Sequence, residues 1–201
     1  MNTTVQSNLQ SKSQAGLVTR LRPGRVYRRE DLSAWSGSVD RDLQQLVGGG
    51  VLQKLAQGLY YAPRQSTFGT MPPEDEEVVG AFLRDSDFLI FSPNAYNSLG
   101  VGTTQLYNTT WVYNHKRHGR FQLGNRSYEF RSKPKFPRAV TPEFLLVDML
   151  NNLDMLAEDK DPLLERVRSR FAEMDPKRLK KAMADYGSVA TRKRTRDWLR
   201  G

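Results

Sequence analysis

The stretch 25–63, RVYRREDLSAWSGSVDRDLQQLVGGGVLQKLAQGLYYAP, leaves the chain few folds to choose from, because helical, turn, glycine and β-rich signals follow one another without a gap. After Ser36, the apolar residues Val39, Leu43, Leu46 and Val47 recur at helical spacing and are expected to point into a small core. The other face carries Ser38, Arg41, Asp42 and Gln45, with Gln44 on its margin, all groups able to donate to or accept from base edges. Residues 30–35 supply a shorter helix before it. Ser36-Gly37-Ser38 forms a tight turn with a hydroxyl able to cap the second helix. Gly48-Gly49-Gly50 stops that helix, since glycine takes left-handed backbone angles at little cost. Residues 51–55 and 59–61 are rich in β-formers and flank Ala56-Gln57-Gly58, predicting a hairpin closed by Pro63, with 25–27 adding a third strand.

Helix, turn, helix and hairpin in that order predict a winged helix-turn-helix over residues 1–66, preceded by a leading helix through Val5, Leu9, Leu17, Val18 and Leu21. Double-stranded DNA is the partner such a module suggests. Base-reading candidates are Ser38, Arg41, Gln44 and Gln45; phosphate-contact candidates are Arg25, Arg28, Arg29, Lys54 and Arg64.

Between 65 and 77, QSTFGTMPPEDEE interrupts both periodicities and sets the expected boundary before a second domain over 74–201. The pattern there predicts a helix at 74–83, a strand at 88–91, a helix at 94–99 and strands at 108–113, 119–123 and 127–131. Gly124-Asn125 forms the last hairpin turn. Thr141-Pro142 then opens a helix, and further helices are expected at 162–174, 176–186 and 188–199. Asp161, Asp175 and Ser188 stand before these three as caps, and Gly187 closes the middle one. The predicted fold class is α+β: an N-terminal winged helix-turn-helix followed by a small antiparallel-sheet domain with a helical C-terminal tail.

Charge favours a polyanionic partner. The net charge is +9 and the pI about 9.9, and neutralising phosphates releases condensed counterions. The excess sits at the two ends, +5 over residues 1–70 and +4 over 151–201. A second basic patch is expected from Lys116, Arg117 and Arg120 in the turn NHKRHG. The tail adds Lys177, Arg178, Lys180 and Lys181, then Arg192, Lys193 and Arg194. The tail clusters suit DNA phosphates or an acidic partner protein.

Other chemistry is poorly provided for. With no cysteine, disulfides, thiolate zinc sites and cysteine nucleophiles are excluded. No apolar run is long enough to span a bilayer, and the start, MNTTVQSNLQSKSQ, lacks a signal-peptide core, so a cytoplasmic protein without membrane contact is expected. His115 and His118 share a turn with no carboxylate or cysteine beside them, which argues against a metal site. Glu129, Arg131 and Lys133 distantly resemble a metal-dependent nuclease motif with Asp85 or Asp87 upstream, but the spacing is one residue too long. The glycine triplet lacks the lysine of a phosphate loop. Neither an enzyme activity nor a cofactor is expected.

The motif VYRREDL, a small-residue turn and SVDRDLQQLVGGGVLQKLAQGLYYAP resembles the N-terminal winged helix of AbiEi-type antitoxins of bacterial type IV toxin–antitoxin systems. The matching positions are Asp31-Leu32, Leu43 and Leu46, Gly48 to Gly50, and Gly58-Leu59-Tyr60. Ser92-Pro93-Asn94-Ala95-Tyr96-Asn97-Ser98-Leu99-Gly100 followed by Thr104-Gln105 resembles the region after the wing in that family, so the likeness spans roughly residues 1–150. It implies a DNA-binding autorepressor that binds inverted repeats in its own promoter, as a monomer or a pair, and counteracts a nucleotidyltransferase-like toxin. The chain departs from the family at Asp40, Asp42, Gln44 and Gln45, where basic residues are more usual. The two acids either accept from a cytosine amino group or stabilise the helix start. The alternative function is a protein-interaction module that neutralises a partner, with the winged helix as scaffold.

Overall fold

The structure, a computed structural model, describes residues 16–156 and 158–198. It divides into two units. One takes the described residues up to Ser86 with Gln122–Arg126; the other takes Asp87–Phe121 and the described residues from Ser127 on.

In the first unit, β1 (Val26–Arg28) leads into α1 (Arg29–Ser33) and, after the turn at 34–38, α2 (Val39–Gly48). A hairpin of β2 (Gln53–Ala56) and β3 (Leu59–Tyr61) follows, turning at Gly58 with φ +72°. The three strands form an antiparallel sheet in the order β1-β3-β2, with Val26 opposite Tyr61 and Arg28 opposite Leu59. Leu32 of α1, Val39, Leu43 and Leu46 of α2, Leu52 and Tyr60 bury together with Leu17. Of the expected leading helix, residues 16–18 are helical, and Val5 and Leu9 lie outside the described residues. Gly50, with φ +71°, turns the chain out of α2, and Val51 N and Leu52 N both donate to the Leu46 carbonyl.

Two features of this unit differ from the sequence expectation. Residues assigned to a linker form a second hairpin, β4 (Arg64–Ser66) and β5 (Gly69–Met71), in which Ser66 Oγ accepts from Phe68 N and donates to the Gly69 carbonyl. Strands this short carry too few residues for a period-two signal. The helix α3 (Asp75–Leu83) also belongs here, so the units part after Ser86 and not at 65–77. Its acidic first turn holds a partner for the residue just before β1: Glu77 Oε1 lies 2.5 Å from Arg25 Nη1.

A four-stranded sheet of β6 (Phe88–Phe91), β7 (Thr110–Asn114), β8 (Gly119–Leu123) and β9 (Arg126–Ser132), in the order β6-β7-β9-β8, supplies the strands of the second unit, apart from the β8–β9 turn residues Gln122–Arg126 already assigned to the first. β6 and β7 are antiparallel, but β9 inserts between β7 and β8 and runs parallel to β7, with Val112 opposite Phe130. A 3-10 helix over Pro93–Leu99 lies between β6 and β7. The tail comprises α4 (Pro142–Asn151), α5 (Lys160–Glu173), α6 (Pro176–Tyr186) and α7 (Val189–Arg194). Every residue of α4 from Phe144 to Leu150 is buried, and their core includes Leu89, Phe91 and Trp111 from the sheet and Leu179 and Met183 from α6. A helix buried on all sides shows little amphipathic pattern.

The caps at Thr141, Asp175 and Ser188 are formed as expected: each side chain accepts from a backbone N–H of its helix's first turn. The fourth is not. Helix α5 begins at Lys160, which puts Asp161 and Pro162 inside its first turn, where a missing N–H costs nothing. Helix α7 ends at Arg194, short of the expected 199.

Candidate nucleic-acid interface

The turn before α2 is organised by Ser36. Its Oγ accepts from Ser38 N at 2.9 Å and donates to Asp42 Oδ2 at 2.6 Å. Asp42, expected on the outer face, is therefore an inward residue, 1% exposed. It stands three residues after Val39 and four before Leu46, which puts it on the rim of the buried stripe. Ser38 occupies the N-cap position without a side-chain cap bond, so the cap expected from this turn is not formed and the Ser36 hydroxyl instead holds the turn itself. Ser38, Arg41, Gln44 and Gln45 are all exposed, and the last three form one stripe at the offsets of neighbouring helical positions.

Three of the five phosphate-contact candidates have acidic partners within the unit. Arg29 Nε and Nη2 donate to the two oxygens of Asp40, each at 2.6 Å. These bonds hold the Asp40 carboxyl below its ordinary range and raise the Arg29 guanidinium. Asp40 thus pairs with a side chain of α1. Arg25 pairs with Glu77, as described above. Arg28 is half-buried and turned inward. Its Nη1 donates to the Ala81 carbonyl at 3.0 Å, and Glu30, which lies 3.7 Å from its Nε, also pairs with Arg84. Arg28 is therefore withdrawn from the phosphate set. Lys54 and Arg64 are exposed; Lys54 Nζ donates to Gln57 Oε1, and the Arg64 guanidinium lies 3.2 Å from Met71 Sδ.

In the second unit, Lys116 and Arg117 sit in the β7–β8 loop, whose backbone is held by Asn114 Oδ1 accepting from both residues' N–H groups. Arg120 Nε lies 3.5 Å from Glu129. The tail cations are differently disposed. Leu179, Ala182 and Met183 face inward on α6, leaving Lys177, Arg178, Lys180 and Lys181 exposed. Thr191 anchors α7 and leaves Arg192, Lys193 and Arg194 exposed.

Two residues of the stretch that resembled a nuclease motif, Glu129 and Arg131, are tied to the core, whereas Asp87 is exposed. Arg131, 5% exposed, binds Glu129 through Nε and Nη2, donates to Asn152 Oδ1 at 2.8 Å and stacks 3.4 Å above the Trp111 ring. Nearby, both oxygens of buried Asp148 accept from tyrosine hydroxyls, Tyr96 at 2.6 Å and Tyr113 at 2.7 Å. Burial raises the Asp148 carboxyl, opposed by the two hydroxyls, and raises both tyrosines strongly. Sequence reasoning placed Asp148 in a helix but missed this network, because its partners lie 52 and 35 residues away.

His115 stacks on Phe136, with Nδ1 2.8 Å from the Lys133 carbonyl and Nε2 3.4 Å from Asp87. Among the described residues, no group of three or more histidines and acids is arranged to hold a metal. Nor is any described helix long and apolar enough to cross a membrane.

No protein-family model and no curated protein matches the chain. Among solved structures, the RV2827C protein from Mycobacterium tuberculosis is similar in fold, with a TM-score of 0.57 over 94% of this chain and 75% of that one. At 18% identity, that likeness is one of fold.

Proposed function

We propose that the chain is a sequence-specific DNA-binding autorepressor and antitoxin of the AbiEi type, without enzyme activity, acting in the cytoplasm on inverted repeats in its own promoter. The resemblance in sequence supports a nucleotidyltransferase-like toxin as its second partner. One observation carries the DNA reading. Helix α2 is fixed on one side by Val39, Leu43 and Leu46 and offers Arg41, Gln44 and Gln45 on the other, the donors and acceptors that pair with guanine and adenine edges. The hairpin β2–β3 then acts as the wing, with Lys54 toward phosphates.

A second reading, a scaffold that neutralises a partner protein, draws support from the internal pairing of Arg25, Arg28 and Arg29, which lowers the charge this unit offers to DNA. A salt-titrated binding assay on the upstream DNA, with a scrambled duplex as competitor, separates the two. Binding to the upstream DNA roughly 10³-fold or more tighter at ~150 mM salt supports a sequence reader. Equal binding to both duplexes favours the scaffold.

A further inference from the structure

Among the described residues, the basic side chains of α6 and α7 lack the direct acid pairs that hold Arg25 and Arg29 of the first unit, although Arg178, Lys181 and Arg194 help to hold the carboxyls of Asp175, Asp185 and Asp154 low. Residues 176–198 hold eight Lys/Arg and two acids. Of the acids, Asp185 is removed from the balance by Lys135, whose Nζ lies 2.5 Å from it and holds its carboxyl low. Asp197 also has a partner. None of Lys177, Arg178, Lys180 and Lys181 takes part in an ion pair among the described residues, and the same holds for Arg192, Lys193 and Arg194. Unpaired surface cations repel one another and are neutralised by solution counter-ions or by an anionic ligand.

The helices that carry them are firmly set. Leu179, Ala182 and Met183 anchor α6 in the core, and Asp175 Oδ1 accepts from Lys177 N and Arg178 N. Ser188 caps α7, buried Thr191 and Thr195 hold its inner side, and Gly187 ends α6 where a Cβ would lie 2.5 Å from that helix's own Met183 carbonyl and 3.1 Å from Arg192 Cγ of α7. Lys177, Lys180 and Lys181 share one side of α6 at three- and four-residue offsets. The result is a firmly anchored, mostly basic face on which Val189 of α7 is a lone exposed large apolar side chain among the described residues, short of the aromatic cluster that marks protein interfaces.

We propose that the outer face of α6 and α7 binds the phosphate backbone of duplex DNA, without regard to sequence, and supplies most of the salt-dependent affinity. This rests on the DNA-binding reading above. Four substitutions made together in the full chain, Lys177→Gln, Lys180→Gln, Lys181→Gln and Lys193→Gln, test it. Binding to the upstream duplex and to a random duplex is measured from ~50 to ~300 mM salt, with the urea midpoint as a check of folding. At about 0.9 per phosphate, the slope of log K against log salt should fall by about 2 to 4 on both duplexes alike. A fall smaller than about 2 overturns the proposal.

If the fourfold variant does not fold, Arg178→Gln with Arg192→Gln and Arg194→Gln provides an independent set, judged by a fall of about 2 or more. Poly-glutamate bound by the parent chain at least as tightly as random duplex would assign the face to an acidic protein and also overturn it. The two readings separate cleanly. A parent that prefers its upstream DNA while the variant keeps its slope defeats this inference alone; one that binds both duplexes equally, with a slope that collapses in the variant, defeats sequence reading alone. A parent that binds no duplex defeats both.

Discussion

If the proposed function holds, Asp40→Asn should tighten DNA binding, an unusual direction for a change in a helix proposed to face DNA. Arg29 is held by both Asp40 oxygens at 2.6 Å, in a pair whose side chains are 42% and 73% exposed. Water already competes for such a pair, so releasing it disturbs the fold little. What changes is the charge offered to a phosphate. If freed Arg29 reaches one more phosphate, the salt slope steepens by about 0.9. Taking ionic contributions as vanishing near ~1 M salt, that slope corresponds to about eightfold tighter binding at ~0.1 M on any duplex. Fluorescence anisotropy on the upstream and random duplexes measures both quantities, and Arg29→Gln in the Asp40→Asn background should return the slope to the parental value. An unchanged slope in Asp40→Asn refutes the reasoning. A loss confined to the upstream duplex also refutes it, because Asp40 would then itself be reading a base.

Arg41→Ala should cost about 1–3 kcal/mol on the upstream duplex and relax discrimination, whereas Lys54→Ala should weaken all duplexes alike and lower the salt slope by about 1; equal losses for Arg41→Ala on both duplexes would contradict this division. Asp42→Ala removes a buried charge-assisted bond to Ser36 and should lower stability by about 1.5–3 kcal/mol in urea, an effect that a solvent-facing Asp42 would not produce. Gly187→Ala should destabilise by about 1–3 kcal/mol, since the new Cβ meets the Met183 carbonyl of the same helix at 2.5 Å, and an unmoved urea midpoint would show that the end of α6 shifts freely to make room. Burial raises the folded-state affinity of Asp148 for its proton, so its contribution to stability is complete at low pH and declines as pH rises through the raised value. Urea midpoints from pH ~4 to ~7 should therefore fall in the parent relative to Asp148→Asn, and the opposite trend would mean that the two tyrosines outweigh burial.

The elements that were legible in the sequence are those whose cause is local. Val39, Leu43 and Leu46 mark the inner face of α2 by spacing alone, and Gly58 marks the hairpin because a tight turn there needs its φ of +72°. Thr141, Asp175 and Ser188 mark helix starts because the cap lies within three residues of what it binds. Asp42 was misassigned for a related reason: a polar residue at the edge of an apolar stripe satisfies either face until its partner, here Ser36, is known. The parallel pairing of β7 with β9 was not legible, because strand patterns name the faces of a strand and not its neighbours.

The candidate site shows the same division in its electrostatics. Counting charges along the chain assigns +5 to residues 1–70 and +4 to 151–201, as though the two ends offered similar attraction to a polyanion. Folding separates formal charge from presented charge. Glu77 lies 52 residues from Arg25 in sequence and 2.5 Å from it in space, and it comes from the acid run at the expected domain boundary, the first turn of the helix predicted there. Asp40 and the Ala81 carbonyl act likewise on Arg29 and Arg28. The tail has only two acids over residues 176–198, and Asp185 turns to Lys135. A basic face therefore survives folding where the acids are few and engaged elsewhere, which is the reason for proposing α6 and α7 for phosphates and Arg41, Gln44 and Gln45 of α2 for base edges.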